Sequence, residues 1–142
     1  MDVISPDRIA HFMALVPPPG SLSQLDRQVR GGLPKSSLKS CVEHVCLNRE
    51  ECRQLANRLV PEATYKRRRD RFTSDESEKI ERLARVFATA EYIWGSEDEA
   101  RAFLHTPHPL LDNATPLDIA STELGARRVE VLLWRLFHGI AA

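Results

Sequence analysis

Apolar residues recur in this chain at intervals of three and four positions almost throughout, and no stretch sustains the alternation of a strand. That pattern predicts an all-α protein. Near the C-terminal end, Val129, Leu132, Leu133, Leu136, Phe137 and Ile140 fall on one helical face. Ile80, Leu83, Ala84, Phe87 and Trp94 mark a second long helix, whose stripe is either core or a dimer face. Leu38, Val42 and Val45 mark another, and Cys52, Leu55, Ala56 and Leu59 the one after it. Phe103 and Leu104 point inward from a shorter element, and Ile9, Phe12 and Met13 share a face near the N-terminus.

Polar residues punctuate these stripes. Thr73 with Glu76 forms a capping box, and Asn48 with Glu51 has the same reciprocal form. Ser96, Thr115 before Pro116, and Thr122 are further helix starts. Pro17-Pro18-Pro19-Gly20, Gly31-Gly32, Pro61 and Gly95 are stops. Gly125, in the first turn of the last helix, allows another backbone to approach closely. Residues 1–32 read as an N-terminal arm, 33–72 as a helix-turn-helix and 73–142 as a helical C-terminal region.

The 20 Lys and Arg balance the 20 Asp and Glu, which excludes a uniformly basic nucleic-acid binder. Local charge is uneven. Residues 66–71 hold five basic side chains and one acidic, a balance of +4. Residues 73–99 hold three basic and eight acidic, a balance of −5. The basic cluster sits on the second helix of a helix–proline turn–helix, the element that enters the major groove in such motifs. Thr64, Tyr65 and Lys66 then stand at the base-reading end. Arg67, Arg68, Arg69 and Arg71 are placed to meet phosphates or guanine edges. A solvated charged face is the other reading of the run.

The remaining chemistry is sparse. Cys41, Cys46 and Cys52 match no zinc spacing and read as small buried hydrophobes without a disulfide. His105 and His108 are separated by Pro107, so no metal site is expected. No phosphate-binding glycine loop, nucleophile elbow or metalloprotease motif is present, so a non-enzymatic protein without catalytic residues or cofactor is expected. No apolar run is long enough to span a bilayer, and the first residues lack the basic flank of a secretory signal. A cytoplasmic protein without a membrane partner is expected.

Leu83-Ala84-Arg85-Val86-Phe87-Ala88, Ala100-Arg101-Ala102-Phe103-Leu104 with Thr106-Pro107, and Thr115-Pro116-Leu117-Asp118 follow one another in the second half of the chain. Gly125-Ala126-Arg127-Arg128-Val129 and His138-Gly139 complete the series. Together these pieces resemble the toxin-binding region of the Xre/MbcA/ParS-type antitoxins of RES–Xre type II toxin–antitoxin systems. The resemblance implies an Xre-like helix-turn-helix followed by a helical toxin-binding domain. It implies a RES-domain toxin that consumes NAD as partner, its active site covered by the antitoxin's C-terminal segment. Operator DNA is the second implied partner, bound by a homodimer that represses its own operon within a higher-order complex. The implied toxin contacts are Arg127, Arg128, Trp134, Arg135, His138, Gly139, Ile140 and Ala142. Trp134 also lies beside the buried stripe, so core burial competes with an interface role. Arg127 and Arg128 gain nothing from the helix dipole where they stand, which points to pairing with Glu123, Glu130 or a partner. A stand-alone helix-turn-helix regulator is the alternative function.

Overall fold

The computed structural model describes residues 3–139. Among them the regular structure is helical: α1 (Pro6–His11), α2 (Leu22–Arg30), α3 (Lys35–Val45), α4 (Arg49–Leu59) and α5 (Glu62–Arg67) come first. α6 (Ser74–Trp94), α7 (Glu97–Leu104), a 3-10 turn (Pro109–Leu111), α8 (Pro116–Ile119) and α9 (Glu123–Phe137) follow. An isolated antiparallel bridge between Pro34 and Arg71 is the one β pairing among the described residues. The all-α expectation holds.

The chain divides into two compact units. The first runs from Ser5 to Ala84. α1 buries Ile9, and Phe12 and Met13 just beyond it are buried too. Their free carbonyls are taken by α3: the hydroxyl of buried Ser37 donates to Met13 O at 2.7 Å, and Ser40 donates to Phe12 O at 3.1 Å. These bonds satisfy backbone acceptors that burial would otherwise strand. α2, capped by Ser21, buries Leu25 and Val29. α3 buries Leu38, Cys41, Val42 and Val45 at helical spacing.

Residues 33–35 and 70–72 lie side by side. Phe72 N–H donates to Leu33 O at 2.9 Å, and Lys35 N–H donates to Asp70 O at 3.1 Å. Gly32 closes this junction at φ +94°, where a Cβ would stand 2.3 Å from Phe72 O. Leu33 N–H donates to the hydroxyl of buried Ser77 at 2.8 Å, which fixes the junction to the first turn of α6.

The capping box of α6 forms as its spacing predicts. Thr73 N–H donates to Glu76 Oε1 at 2.8 Å, and Glu76 N–H donates to Thr73 Oγ1 at 3.2 Å. The Asn48 cap differs in one detail. Glu51 N–H donates to Asn48 Oδ1, but the Glu51 carboxylate reaches Leu47 N–H, one residue before the expected donor. Along α6, Ile80, Leu83, Ala84 and Phe87 are buried within this chain, so they are core and not a free dimer face. Trp94 departs from that stripe: it is 42% exposed, with its ring 5.9 Å from Phe103.

The second unit comprises Arg85–Ala142 with Met1–Ile4. Ser96, Thr115 and Thr122 each accept the expected first-turn bond, from Glu99, Asp118 and Gly125. His108 Nδ1 accepts from Leu110 N–H and so caps the 3-10 turn, while His105 Nδ1 bonds Arg101 O at 2.7 Å. α9 buries Ala126, Val129, Leu132 and Leu133. Gly125 is indispensable to its seating, since an added Cβ would lie 1.7 Å from Ile119 O.

The cysteines depart from the sequence reading. Cys41 is buried and free, but Cys46 and Cys52 are joined by a disulfide, with Cα atoms 5.4 Å apart. The cause is the α3–α4 connection. Cys46 caps the end of α3 in extended backbone, and Cys52 faces it from the start of α4.

Candidate functional site

The first candidate surface lies on the Ser5–Ala84 unit. α4 ends at Leu59, Val60 is buried, and Pro61 turns the chain into α5. Pro61 offers no side-chain cap, and Asn57 supplies one from α4: its Oδ1 accepts from Glu62 N–H at 2.9 Å. Asn57 was not singled out from sequence. An Asn five residues before a helix start lies outside the usual capping spacing.

α5 is short. It ends at Arg67, so only Lys66 and Arg67 of the basic cluster are helical, against the expectation of one continuous basic helix. Two forces stop it. Residues 70–72 must extend to pair with 33–35. Arg68 turns away to meet Glu76, its Nε and NH2 donating to the two carboxylate oxygens at 3.0 and 2.8 Å. That fork–fork pair is the strong form of the interaction. With the Thr73 bonds it holds the Glu76 carboxyl down at about 2, against 4.5 ordinarily.

The nominated residues therefore separate. Lys66 and Arg67 are exposed, Lys66 with Glu62 at 3.3 Å and Arg67 near Thr64 Oγ1 at 3.4 Å. Arg69 is exposed, with no ion pair among the described residues. Thr64 is half-buried. The Tyr65 ring is held from one side by the Lys35 ammonium, 3.9 Å from its centroid, and lies 6.1 Å from Phe72. Arg68 serves Glu76, and Arg71 NH1 donates to Gly32 O at 2.9 Å. Glu62 and Ala63 are exposed at the start of α5.

The second candidate surface lies on the other unit, at the seam of α6 and α9. Arg85 and Tyr92 are two turns apart on α6, as are Glu123, Glu130 and Phe137 in succession on α9. Arg85 bonds both glutamates. Tyr92 stacks loosely on Trp134 and Phe137, with centroids 5.9 and 5.8 Å away. Trp134 lies 5.5 Å from Phe137 and 6.2 Å from the His138 ring, which stacks on it. The cluster is open to solvent: Tyr92 is 43% and Phe137 47% exposed. Phe137 thus leaves the stripe to which its spacing assigned it, and Leu136 is only half-buried.

Arg135 and Gly139 are exposed. Glu123 and Glu130 are taken by Arg85, so neither pairs with the two nominated arginines in the manner expected. Arg128 turns instead to Asp112 at 3.0 Å, and Arg127 has no ion pair among the described residues. Ile140 and Ala142 lie outside the described residues. Sequence reasoning missed Tyr92, Leu124 and Val131. The last two are 69% and 50% exposed, and with Arg127, Arg128 and Arg135 they form an outer stripe of α9. Apolar residues seven apart on the face opposite the core were the available signal.

A model of the antitoxin Xre-like helix-turn-helix domain matches residues 24–85, and a model of the antitoxin Xre/MbcA/ParS C-terminal toxin-binding domain matches residues 89–139. The chain belongs to the Xre/MbcA/ParS antitoxin family. In this family member the first match falls on α2–α5 and the start of α6, and the second on the α6–α9 seam. Proteins named antitoxin Xre are similar to it. The one from Pseudomonas putida is 30% identical over 86 residues, 58% of this chain and 54% of that one. The one from Yersinia enterocolitica is 36% identical over 85 residues, 57% of each chain. The one from Photorhabdus laumondii is 36% identical over 83 residues, 56% of each. The chain spans a little over half the length of these relatives. No described helix is long and apolar enough to cross a membrane.

Proposed function

We propose that this protein is a cytoplasmic antitoxin that binds and neutralises a cognate RES-domain, NAD-consuming toxin, and that it represses its own operon as a DNA-bound homodimer. The observation that carries the first half is the cluster of Tyr92, Trp134, Phe137 and His138, within the stretch matched by the toxin-binding model, with exposed Arg135 on the same helix. Tryptophan, tyrosine and arginine are the residue types enriched at interface hot spots. A half-buried Trp134 packed against Tyr92 and Phe137, on a helix that Arg85 ties to α6, is a stiff anchor, and stiff anchors lose little entropy on docking. Gly139 and the residues that follow it in the sequence are the segment assigned to cover the toxin's active site. Arg135 is suited to the phosphate-binding part of a cleft that holds an anionic dinucleotide.

For DNA, the residues that support the reading are Lys66, Arg67 and Arg69, whose charges are the more available of the basic cluster. Thr64 and Tyr65 then act through the seating of α5, and Arg68 and Arg71 hold the chain that follows it. Homodimerisation supplies two copies of α5 for a two-fold operator and leaves each C-terminal surface for a toxin in a larger assembly.

Growth and cellular NAD, measured on expression of the adjacent RES-domain gene, test the proposal. The full chain restores both, and a version ending at Leu136 restores neither. Rescue by both versions would move the contact upstream of Phe137. Rescue by neither would leave a stand-alone regulator.

A further inference from the structure

Cys46 and Cys52 differ from Cys41 in having each other within bonding reach, and Cys52 differs also in exposure. Cys41 is fully buried, its thiol donating to Ile80 O at 3.8 Å, and burial pushes it up to about 12. Such a thiol is inert. Cys46 is 7% exposed at the end of α3. Cys52 is half-buried and lines a cavity of about 510 Å³ bounded by α3, α4 and α5. Lys39, Arg53 and Lys66 line that cavity together with Glu43 and Glu62, and Lys66 is paired with Glu62 and Arg53 with Glu50. That exposure opens the Cys52 sulfur to a small reactant, which a fully buried thiol such as Cys41 does not allow.

Geometry makes the pair closable. Their Cα separation of 5.4 Å lies within the range of about 4.4–6.8 Å that a disulfide spans without backbone movement. The two residues sit at either end of the short α3–α4 connection. α4 in turn seats α5, through Asn57 on the Glu62 N–H and through buried Val60. A bond at this corner therefore acts on the platform that presents Lys66 and Arg67. In a reducing compartment a permanent structural disulfide is rare, and a closable pair cycles with the thiol pool.

We propose that Cys46 and Cys52 are a reversible dithiol–disulfide pair whose oxidation locks the α3–α4 corner beneath α5. The oxidant is a low-molecular-weight disulfide of the glutathione type. The Cys52 thiolate attacks one of its sulfurs, forming a mixed disulfide and releasing one thiolate. The Cys46 thiolate then attacks the Cys52 sulfur, closing the ring and releasing the second. The protein loses two electrons and two protons, and one oxidised glutathione becomes two reduced ones.

The test uses the full chain equilibrated in glutathione buffers of graded ratio, quenched, unfolded, alkylated and weighed. Three alkylations are expected at the reduced end and one at the oxidised end, the survivor mapping to Cys41. In the same samples, amide exchange across residues 46–67 slows roughly tenfold on oxidation. A C52S variant loses that redox dependence. Three alkylations at every ratio, a mixed disulfide that never closes, or equal exchange in both states would overturn the proposal, whether or not the protein binds DNA or toxin.

Discussion

Arg85 holds α6 to α9 through two carboxylates at once: its Nε donates to Glu130 Oε1 at 2.8 Å while its NH2 donates to Glu123 at 3.0 Å. Arg85 and Glu130 are each about a quarter exposed, so the pair is neither dry nor fully screened. Hydrogen bonds to charged groups in such settings contribute about 1–3 kcal/mol. An Arg85→Ala variant is expected to lose stability within that range. Denaturant unfolding should show the midpoint falling without a change in slope, and a double-mutant cycle with Glu130→Gln should show coupling. Additive losses would mean that Arg85 acts through packing instead.

A glycine comparison isolates close approach from backbone freedom. A Cβ on Gly125 would meet Ile119 O at 1.7 Å, whereas one on Gly95, at φ +86°, would meet nothing within 4 Å. Gly95→Ala therefore bears only left-handed strain, about 1–2 kcal/mol. Gly125→Ala must push apart the α8–α9 backbone, and overpacking of that kind costs about 3 kcal/mol or more. Thermal unfolding of the two variants ranks them. A Gly125→Ala protein as stable as wild type would sink the argument.

The split between what was legible and what was not follows range. Asn48, Thr73, Ser96, Thr115 and Thr122 all cap as their spacing predicts, because a cap is decided within four residues. The clash behind Gly125 was legible only as a need for room. The end of α5 was not legible, since it depends on residues 33–35, nearly forty positions away, and on Glu76 drawing Arg68 off the helix. Phe137 and Trp94 satisfy the apolar period, yet no neighbour reaches far enough to cover them. The Cys46–Cys52 contact needed the angle of two helices, which spacing alone does not contain.

Glu76 gives the fold an acid-sensitive joint. Its carboxyl is held at about 2 in the folded chain, by Arg68 first and by the Thr73 bonds next, against 4.5 ordinarily. A carboxylate with a lowered folded pKa stabilises fully above its unfolded value and loses that stabilisation as pH falls towards the folded one. Stability is therefore expected to decline between about pH 4.5 and pH 2 partly through this residue. Glu76→Gln should lower stability at neutral pH by about 1–2 kcal/mol, the scale of a lost helix cap. It should also flatten the acid limb of the stability profile. An unaltered acid limb would assign the sensitivity to other carboxylates.

Lys66, Arg67 and Arg69 are expected to carry the electrostatic part of DNA binding. Each cation that neutralises a phosphate adds about 0.9 to the slope of log affinity against log salt. Lys66→Ala, Arg67→Ala and Arg69→Ala should each reduce that slope by about 1 while leaving the unfolding midpoint nearly unchanged. Arg68→Ala should do the opposite, lowering the midpoint because it strips Glu76 of its partner. A triple variant with the wild-type slope would place the DNA contact elsewhere in the unit.

Phe137 and Trp134 touch each other yet should respond differently, and the difference tests where the toxin sits. Phe137 is 47% exposed and contributes little to the folded chain, so Phe137→Ala should leave the unfolding midpoint within about 0.5 kcal/mol of wild type. If the ring docks in the toxin, the same change should weaken the complex by about 2 kcal/mol, some thirtyfold in Kd. Trp134 is half-buried against Tyr92 and Phe137, so Trp134→Ala should weaken folding and binding together. Calorimetry of the purified pair, read beside the unfolding curves, separates the two effects. A Phe137→Ala protein that binds as tightly as wild type would exclude this aromatic face. The contact would then pass to the Leu124, Arg127, Val131 and Arg135 stripe, the other exposed apolar and cationic surface on α9.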